Sequence, residues 1–330
     1  MDGMAVKALA IVLLGGAVFA AVHHAEVIAA RIGEPMGSVV LAAAVTAIEA
    51  SLIISIMVSS PDGGAEIARD TVFAAIMIVL NGVVGLCLLT GGIRFYEQGF
   101  QTNAASSALG VLGTLATLVL ILPNFTLAEK GPIYSAAQLS FVAIVSLALY
   151  GLFLFVQTVR HRSYFLDLEQ HETGGVKPAG RQVLISAVLL VVALAAVILL
   201  AETLSPVIDQ AVAGAGLPPA FVGIVIAAVV LMPEGLAATR AARMNKLQTS
   251  LNLALGSALA SIGLTIPAVA VTSLLIGKSL TLGLEAEEMV LLVLTLFAST
   301  LTLATGRTTV LQGGVHMVIF CTFLVIAAIP

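Results

Sequence analysis

Two glutamates stand in the middle of apolar stretches, one in each half of the chain. Glu49 lies within residues 46–55 and Glu234 within residues 231–238, and neither stretch contains a lysine or arginine. If these stretches cross a bilayer, an ionised carboxyl at mid-depth costs at least ~2.5 kcal/mol. Such a group persists only when it is protonated, paired or regularly neutralised by a cation. The two acids therefore predict a site where protons and cations compete for the same oxygens.

The composition places these acids in a membrane. The chain has 330 residues, of which 60% are hydrophobic and 10% charged, and its mean hydropathy is +1.13. Soluble domains have roughly 25% charged residues. Apolar stretches long enough to cross ~30 Å of hydrocarbon recur along the chain. We therefore expect an all-α polytopic protein surrounded by lipid, with about ten transmembrane helices at residues 7–31, 37–59, 70–93, 105–123, 136–159, 182–205, 217–239, 247–276, 286–305 and 308–329.

The distribution of basic residues predicts the orientation. Ten of the 14 Lys and Arg residues fall at loops on one side of these spans; the other four are Lys7, Arg69, Lys130 and Lys278. The positive-inside rule then places both termini outside the cytoplasm. Lys7 and the apolar residues after it also fit a cleaved signal peptide, but apolar character continues to Ile32 and favours a first membrane span.

The chain divides into two similar halves. The longest polar segment, residues 160–181, is predicted to be a cytoplasmic linker between five-helix groups at residues 1–159 and 182–330. An odd number of spans per group makes the second group enter the membrane upside down, as in inverted-repeat transporters. Glu26 after Ala25 is echoed by Glu202 after Ala201, and in each half the next span carries the central acid.

The residues around the acids resemble a known family. Residues 46–55 resemble the first α-repeat motif of the Ca²⁺/H⁺ exchanger branch of the calcium:cation antiporter superfamily, and residues 233–235, 252–257 and 264–267 resemble the second. Residues 245–257 are most similar to proteobacterial sodium-calcium/proton antiporters. The resemblance implies two inverted repeats, alternating access and cation/proton antiport across a bacterial cytoplasmic (inner) membrane.

The same resemblance narrows the partners. It implies a transporter rather than an enzyme, with no cofactor and no nucleic acid, whose substrates are Ca²⁺, Na⁺ or K⁺ and protons. Both motifs lack the asparagine that relatives carry before the acid, and Ala260 replaces a frequent glutamine. Fewer neutral oxygens favour Na⁺ or K⁺ over strict Ca²⁺ selectivity, so the cation stays open among the three.

A set of oxygen-bearing residues completes the predicted site. Ca²⁺ takes 6–8 oxygen ligands, so Thr46, Asn81 and Ser257 are expected to add neutral oxygens to those of Glu49 and Glu234. Asn and Ser also serve as hydrogen-bond partners between membrane helices, and a buried Glu could do the same. Without a cation, two neighbouring buried carboxyls do not both stay ionised. Glu26 and Glu202, nearer the helix ends, are candidate gates, proton-access groups or interfacial anchors.

Other function classes fit less well. A passive cation channel is the main alternative, with the acids as its filter, but channels normally use a symmetric ring of ligands around one axis. A membrane enzyme or scaffold lacks support, because no nucleophile–base set or interaction domain is visible. Without a Walker motif or other nucleotide-binding glycine loop, the pattern indicates secondary transport rather than an ATP-driven pump. His23 and His24 are interpreted as interfacial residues.

Overall fold

A computed structural model describes residues 4–33, 36–59, 64–166 and 178–329 of the chain. Long runs of Leu, Ala, Val and Ile form helices, since only internal hydrogen bonds satisfy the backbone in hydrocarbon. The α-helices are α1 (Met4–Ile32), α2 (Met36–Ser59), α3 (Gly64–Met77), α4 (Val84–Phe95), α5 (Thr102–Ala116), α6 (Ala136–Phe155), α7 (Gly180–Gly214), α8 (Phe221–Arg243), α9 (Leu247–Ala260), α10 (Ile266–Ile276), α11 (Ala286–Leu303) and α12 (Val310–Ala328).

Ten helical stretches in the described residues are long and apolar enough to cross a membrane, which confirms the predicted all-α polytopic architecture. The third span, Ala65–Phe95, begins earlier than the predicted residue 70, so Arg69 and Asp70 are helical and buried. The seventh, Phe221–Arg243, is shifted from the predicted 217–239. Most of the predicted linker, residues 167–177, lies outside the described residues, and the division into two inverted repeats stays a prediction.

Helical irregularities occur beside the acid-bearing helices rather than within them. Small and polar residues around Glu49 and Glu234 favour broken helices, but α2 and α8 are each continuous, even with Pro233 inside α8. Instead, a π-helical segment, Ile78–Val83, joins α3 to α4, and another, Ser261–Thr265, joins α9 to α10. Both belong to the span that follows an acid, the third and the eighth.

The helices pack around two large hydrophobic clusters, and a third, of Cys87, Ala238 and Ala242, joins α4 to α8. The smaller of the two large clusters joins α1, α2, α7 and α8, with Val18, Ile48, Val197 and Val230 almost fully buried. The larger one fills the space between the end of α2 and the helices α3–α6 and α8–α12. The acids therefore lie where a four-helix group meets the larger bundle.

Short backbone contacts tie the loops together at each end of the bundle. Strands β1 (Gln98–Gly99) and β2 (Arg307–Thr308) form an antiparallel pair at the end where most basic residues lie. At the other end, a single bridge joins Ile133 to Thr281.

Candidate cation and proton site

The two acids lie at similar depth on helices that run in opposite directions. Glu49 is 13 residues after the start of α2 at Met36, and Glu234 is 13 residues after the start of α8 at Phe221 (49 − 36 and 234 − 221). At 1.5 Å per residue, each lies ~20 Å from that end of its helix. Glu49 is 2% exposed and Glu234 7% exposed, and their helices, α2 and α8, pack against each other. The fold thus brings two buried carboxyls near the mid-depth of the bundle.

Glu49 is held by a hydroxyl from the second half of the chain. The Ser261 Oγ lies 2.5 Å from each oxygen of the Glu49 carboxyl and donates a hydrogen bond to it. Ser261 is 1% exposed and is the first residue of the π-helical segment Ser261–Thr265. A hydrogen bond to a carboxylate is roughly twice as strong as one between neutral groups. Ser261 therefore stabilises an ionised Glu49.

Glu234 borders a small cavity. Among the described residues, neither of its side-chain oxygens has a hydrogen-bond partner. The cavity is about 30 Å³ in volume, which suits one water-sized particle and excludes organic solutes. Polar groups of Tyr150, Gln157, Asn252 and Ser257 line it together with Glu234. Val39, Leu41 and Ala42, near the start of α2, also line it, so the cavity extends towards the basic end of the bundle.

Asn81 takes part in a buried hydrogen-bond network. It is fully buried in the segment Ile78–Val83. Its Nδ2 donates to Thr295 Oγ1 at 2.9 Å, and its Oδ1 lies 3.0 Å from His316 Nδ1. These partners belong to α11 and α12. The amide thus joins three spans, and its predicted role as a cation ligand stays a prediction.

The remaining predicted residues are placed as follows. Thr46 is buried on α2, three residues before Glu49 and therefore on the same side of the helix. Glu26 is exposed on α1. Glu202 belongs to α7, but its side chain lies outside the described part of the chain. The structure thus brings Thr46, Ser257 and the two acids into one region, and leaves the roles of Glu26 and Glu202 as predictions.

Sequence reasoning missed three residues of this region: Ser261, Gln157 and His316. Ser261 follows Ser257 by four residues and so shares its helix face. Gln157 and His316 are polar residues within apolar spans, and buried polar groups in membrane helices are usually functional or paired. The sequence alone shows that these residues are polar. It does not show which side chains they contact, because the contacting residues belong to distant spans.

The arrangement suits a cation that is bound transiently. No group of three or more His, Cys, Asp or Glu side chains placed to hold a metal occurs in the described ranges. Two carboxyls with hydroxyl and amide oxygens supply charge and oxygen to a hard cation, and the same carboxyls accept protons.

Comparisons with known proteins identify a family and relatives that match most of the chain. The family model described as "Sodium/calcium exchanger protein" matches residues 3–159 and 185–329. A putative ionic transporter, y4hA, of Sinorhizobium fredii is 58% identical, over 96% of this chain and 87% of its own length. The sodium-potassium/proton antiporter ChaA of Escherichia coli K12 is 36% identical, over 97% of this chain and 88% of its own.

A solved structure supports the fold. The crystal structure of the H⁺/Ca²⁺ exchanger CAX superposes with a TM-score of 0.74 at 17% identity, covering 97% of this chain and 82% of the other. The family predicted from the two motifs is confirmed. With nearly its whole length matched, the chain belongs to the sodium/calcium exchanger family.

Proposed function

We propose that this protein is a secondary active antiporter that exports Ca²⁺, Na⁺ or K⁺ in exchange for protons. The observation that carries the proposal is the pair of buried carboxyls: Glu49 on α2 bonded to Ser261, and Glu234 on α8 beside a water-sized cavity. A proton or a cation neutralises such a pair, but an empty and charged pair is costly in low dielectric. The site then changes its access from one side of the membrane to the other readily only when a cation or protons are bound. This requirement couples the cation flux to the proton flux.

The cavity supports alternating access. By the positive-inside rule the end of the cavity at the start of α2 faces the cytoplasm, and both termini lie outside. The protein resides in the bacterial cytoplasmic membrane. Towards the other side, Leu52, Ile53 and Ile56 of α2 and Ile226 of α8 are buried in packed clusters. The structure would then correspond to a cytoplasm-facing state. The relatives support the chemistry, since ChaA is named a sodium-potassium/proton antiporter.

A transport assay tests the proposal. Everted vesicles containing the protein are energised, and the collapse of the pH gradient is followed after separate additions of CaCl₂, NaCl and KCl. The antiporter should release protons with at least one salt, and the three responses rank the cations. Two results would favour the passive channel instead. One is collapse of the pH gradient only when an added ionophore clamps the voltage; the other is cation uptake without proton movement.

A further inference from the structure

The two π-helical segments beside the acids are used differently. In Ser261–Thr265, Ser261 contacts Glu49. In Ile78–Val83, the amide of Asn81 is bonded to Thr295 and His316. This segment nevertheless packs against α8, the helix of Glu234: a Cβ added to Gly235, the residue after Glu234, would lie 3.2 Å from Val83 Cγ2. An amide oxygen in a segment that packs against the helix of Glu234 is thus engaged with α12.

His316 is the group that engages it. The ring is 1% exposed in the middle of α12. Its Nδ1 lies 3.0 Å from Asn81 Oδ1, and its Nε2 lies 3.1 Å from Thr302 Oγ1. An amide oxygen only accepts, so Nδ1 carries a proton and donates; in the neutral ring, Nε2 accepts from the Thr302 hydroxyl. Both ring nitrogens and the amide are therefore satisfied.

Close packing keeps the ring in place. A Cβ added to Gly85 would lie 3.0 Å from His316 Cβ, and a Cβ added to Gly313 would lie 2.5 Å from the backbone nitrogen of Leu89. Glycines at these two positions let α12 lie directly against α4. Together with the burial of the ring, this packing keeps the imidazole beside Asn81.

We infer that His316 is a positioning residue that sets the cation preference of the two-glutamate site by holding the Asn81 amide oxygen towards α12. The inference rests on the proposed function. Ca²⁺ takes 6–8 oxygens, and withholding one neutral oxygen from a site with two carboxylates weakens Ca²⁺ binding more than binding of a monovalent cation. The protein therefore favours Na⁺ or K⁺ over Ca²⁺.

The test measures cation binding without transport. The thermal unfolding midpoint of the purified protein is followed against CaCl₂, NaCl and KCl, since a ligand of the folded state raises it. His316→Leu removes the donor, so the Asn81 oxygen becomes available to a cation. The ratio of half-saturating Ca²⁺ to half-saturating Na⁺ or K⁺ should fall about fivefold, the equivalent of one hydrogen bond.

Matched variants separate positioning from packing. His316→Gln keeps an amide donor for Asn81 and should restore the wild-type ratio, and Thr302→Val, which removes the other partner of the ring, should leave it unchanged. In an Asn81→Leu background, His316→Leu should have no further effect. His316→Met also lacks a donor, and its flexible side chain fills irregular space in a packed interior; it should shift the ratio in the same direction, which keeps the test open if His316→Leu does not fold.

The outcomes distinguish the two proposals. An unchanged ratio in His316→Leu, or in His316→Met if the leucine variant is unfolded, overturns the role of His316, as does a shift that persists without Asn81. Glu234→Gln serves as the reference for the site itself. If the wild type is not stabilised by any of the cations, or if Glu234→Gln is stabilised equally, the two-glutamate site fails and the inference fails with it.

Discussion

Glu49 and Glu234 are similar in depth but differ in what surrounds their oxygens. Glu49 has a hydroxyl donor, whereas Glu234 has no hydrogen-bond partner within the described residues and borders the cavity. Two acids in unlike environments give the site two unlike affinities for a proton. We therefore expect Glu234 to contact ions that arrive through the cavity, and Glu49 to form the inner part of the site.

Removing either charge should abolish exchange. Glu49→Gln and Glu234→Gln are nearly isosteric, so folding should be retained, but an amide neither holds a charge nor releases a proton. Coupled proton release in everted vesicles should fall at least about tenfold, as expected for the loss of a charge-assisted contact. Retention of more than half the wild-type transport in either variant would rule out the proposed site.

The hydroxyl of Ser261 should also matter. Ser261→Ala removes the donor that stabilises ionised Glu49, the form that a cation needs, so the half-saturating cation concentration should rise roughly five- to tenfold. Ser261→Thr retains the hydroxyl and should remain near the wild type. Ser140→Ala is the control, because the exposed Ser140 hydroxyl bonds only to its own helix at Ala136 O. Equal affinities in Ser261→Ala and Ser140→Ala would leave the Glu49 contact without a role in binding.

Competition at the acids gives transport a defined dependence on pH. A cation needs the carboxylates ionised, and protonation removes the charge that holds it. Lowering the pH should therefore raise the half-saturating cation concentration, while saturating cation should largely restore binding. Linkage makes the competition reciprocal. Initial rates measured from about pH 6 to pH 9 check this. A constant half-saturating concentration would place the proton pathway elsewhere, with Glu26 and Glu202 the next candidates.

At the scale of the elements, two π-helical segments, Ile78–Val83 and Ser261–Thr265, lie beside the acid-bearing helices. Each follows an acid-bearing span in sequence, and Ser261–Thr265 packs against α2 and α6 while Ile78–Val83 packs against α8 and α12. A π segment widens the helix locally and changes the direction of its side chains, and such segments are frequent at functional sites. This exchange of partners between the halves is consistent with the predicted inverted repeats.

The packing of the π-helical segment Ser261–Thr265 is tight enough to be tested by adding one methyl group. A Cβ at Gly263 would lie 2.8 Å from Tyr150 Cβ on α6. Gly263→Ala should therefore destabilise the protein by ~1–3 kcal/mol, as overpacking does, and lower its thermal unfolding midpoint. Gly110→Ala on α5 has nothing within 4 Å of the new Cβ and should leave the midpoint unchanged or raise it. Equal unfolding midpoints for Gly263→Ala and Gly110→Ala would mean that α6 moves to accommodate the added methyl group.

At the scale of the whole molecule, the predicted topology is open to direct labelling. After Cys321→Ala removes the exposed thiol, Gly174→Cys should react with an impermeant maleimide only in everted vesicles. Leu127→Cys, at a residue 98% exposed at the opposite end of the bundle, should react only in right-side-out vesicles. Tags at both termini should behave like Leu127→Cys. Labelling of the termini from opposite sides would mean an odd number of spans, and the five-plus-five division would have to be redrawn.

The sequence by itself determined the membrane class, the ten spans, the family and the two acids. These follow from local properties: hydropathy is read within one span, and Glu49 and Glu234 are conspicuous because each interrupts an apolar run. Local reading also put Thr46 on the helix face of Glu49, because residues three apart share a face; Ser257, on another helix, was named from the motif resemblance. The predicted start of the third span was wrong. Charged residues such as Arg69 and Asp70 are typical of loops, and the ion pair that they form inside the protein cannot be read from the sequence.

Only the tertiary structure decided which side chains meet. Ser261 reaches Glu49 across 212 positions of the chain, and His316 reaches Asn81 across 235. No periodicity within a single span encodes such contacts, because they depend on which helices become neighbours and on their rotation. The same holds for the cavity, which is lined by four separate stretches of chain. Hydropathy is a property of one segment, whereas a binding site inside a membrane bundle is a property of the packing between segments.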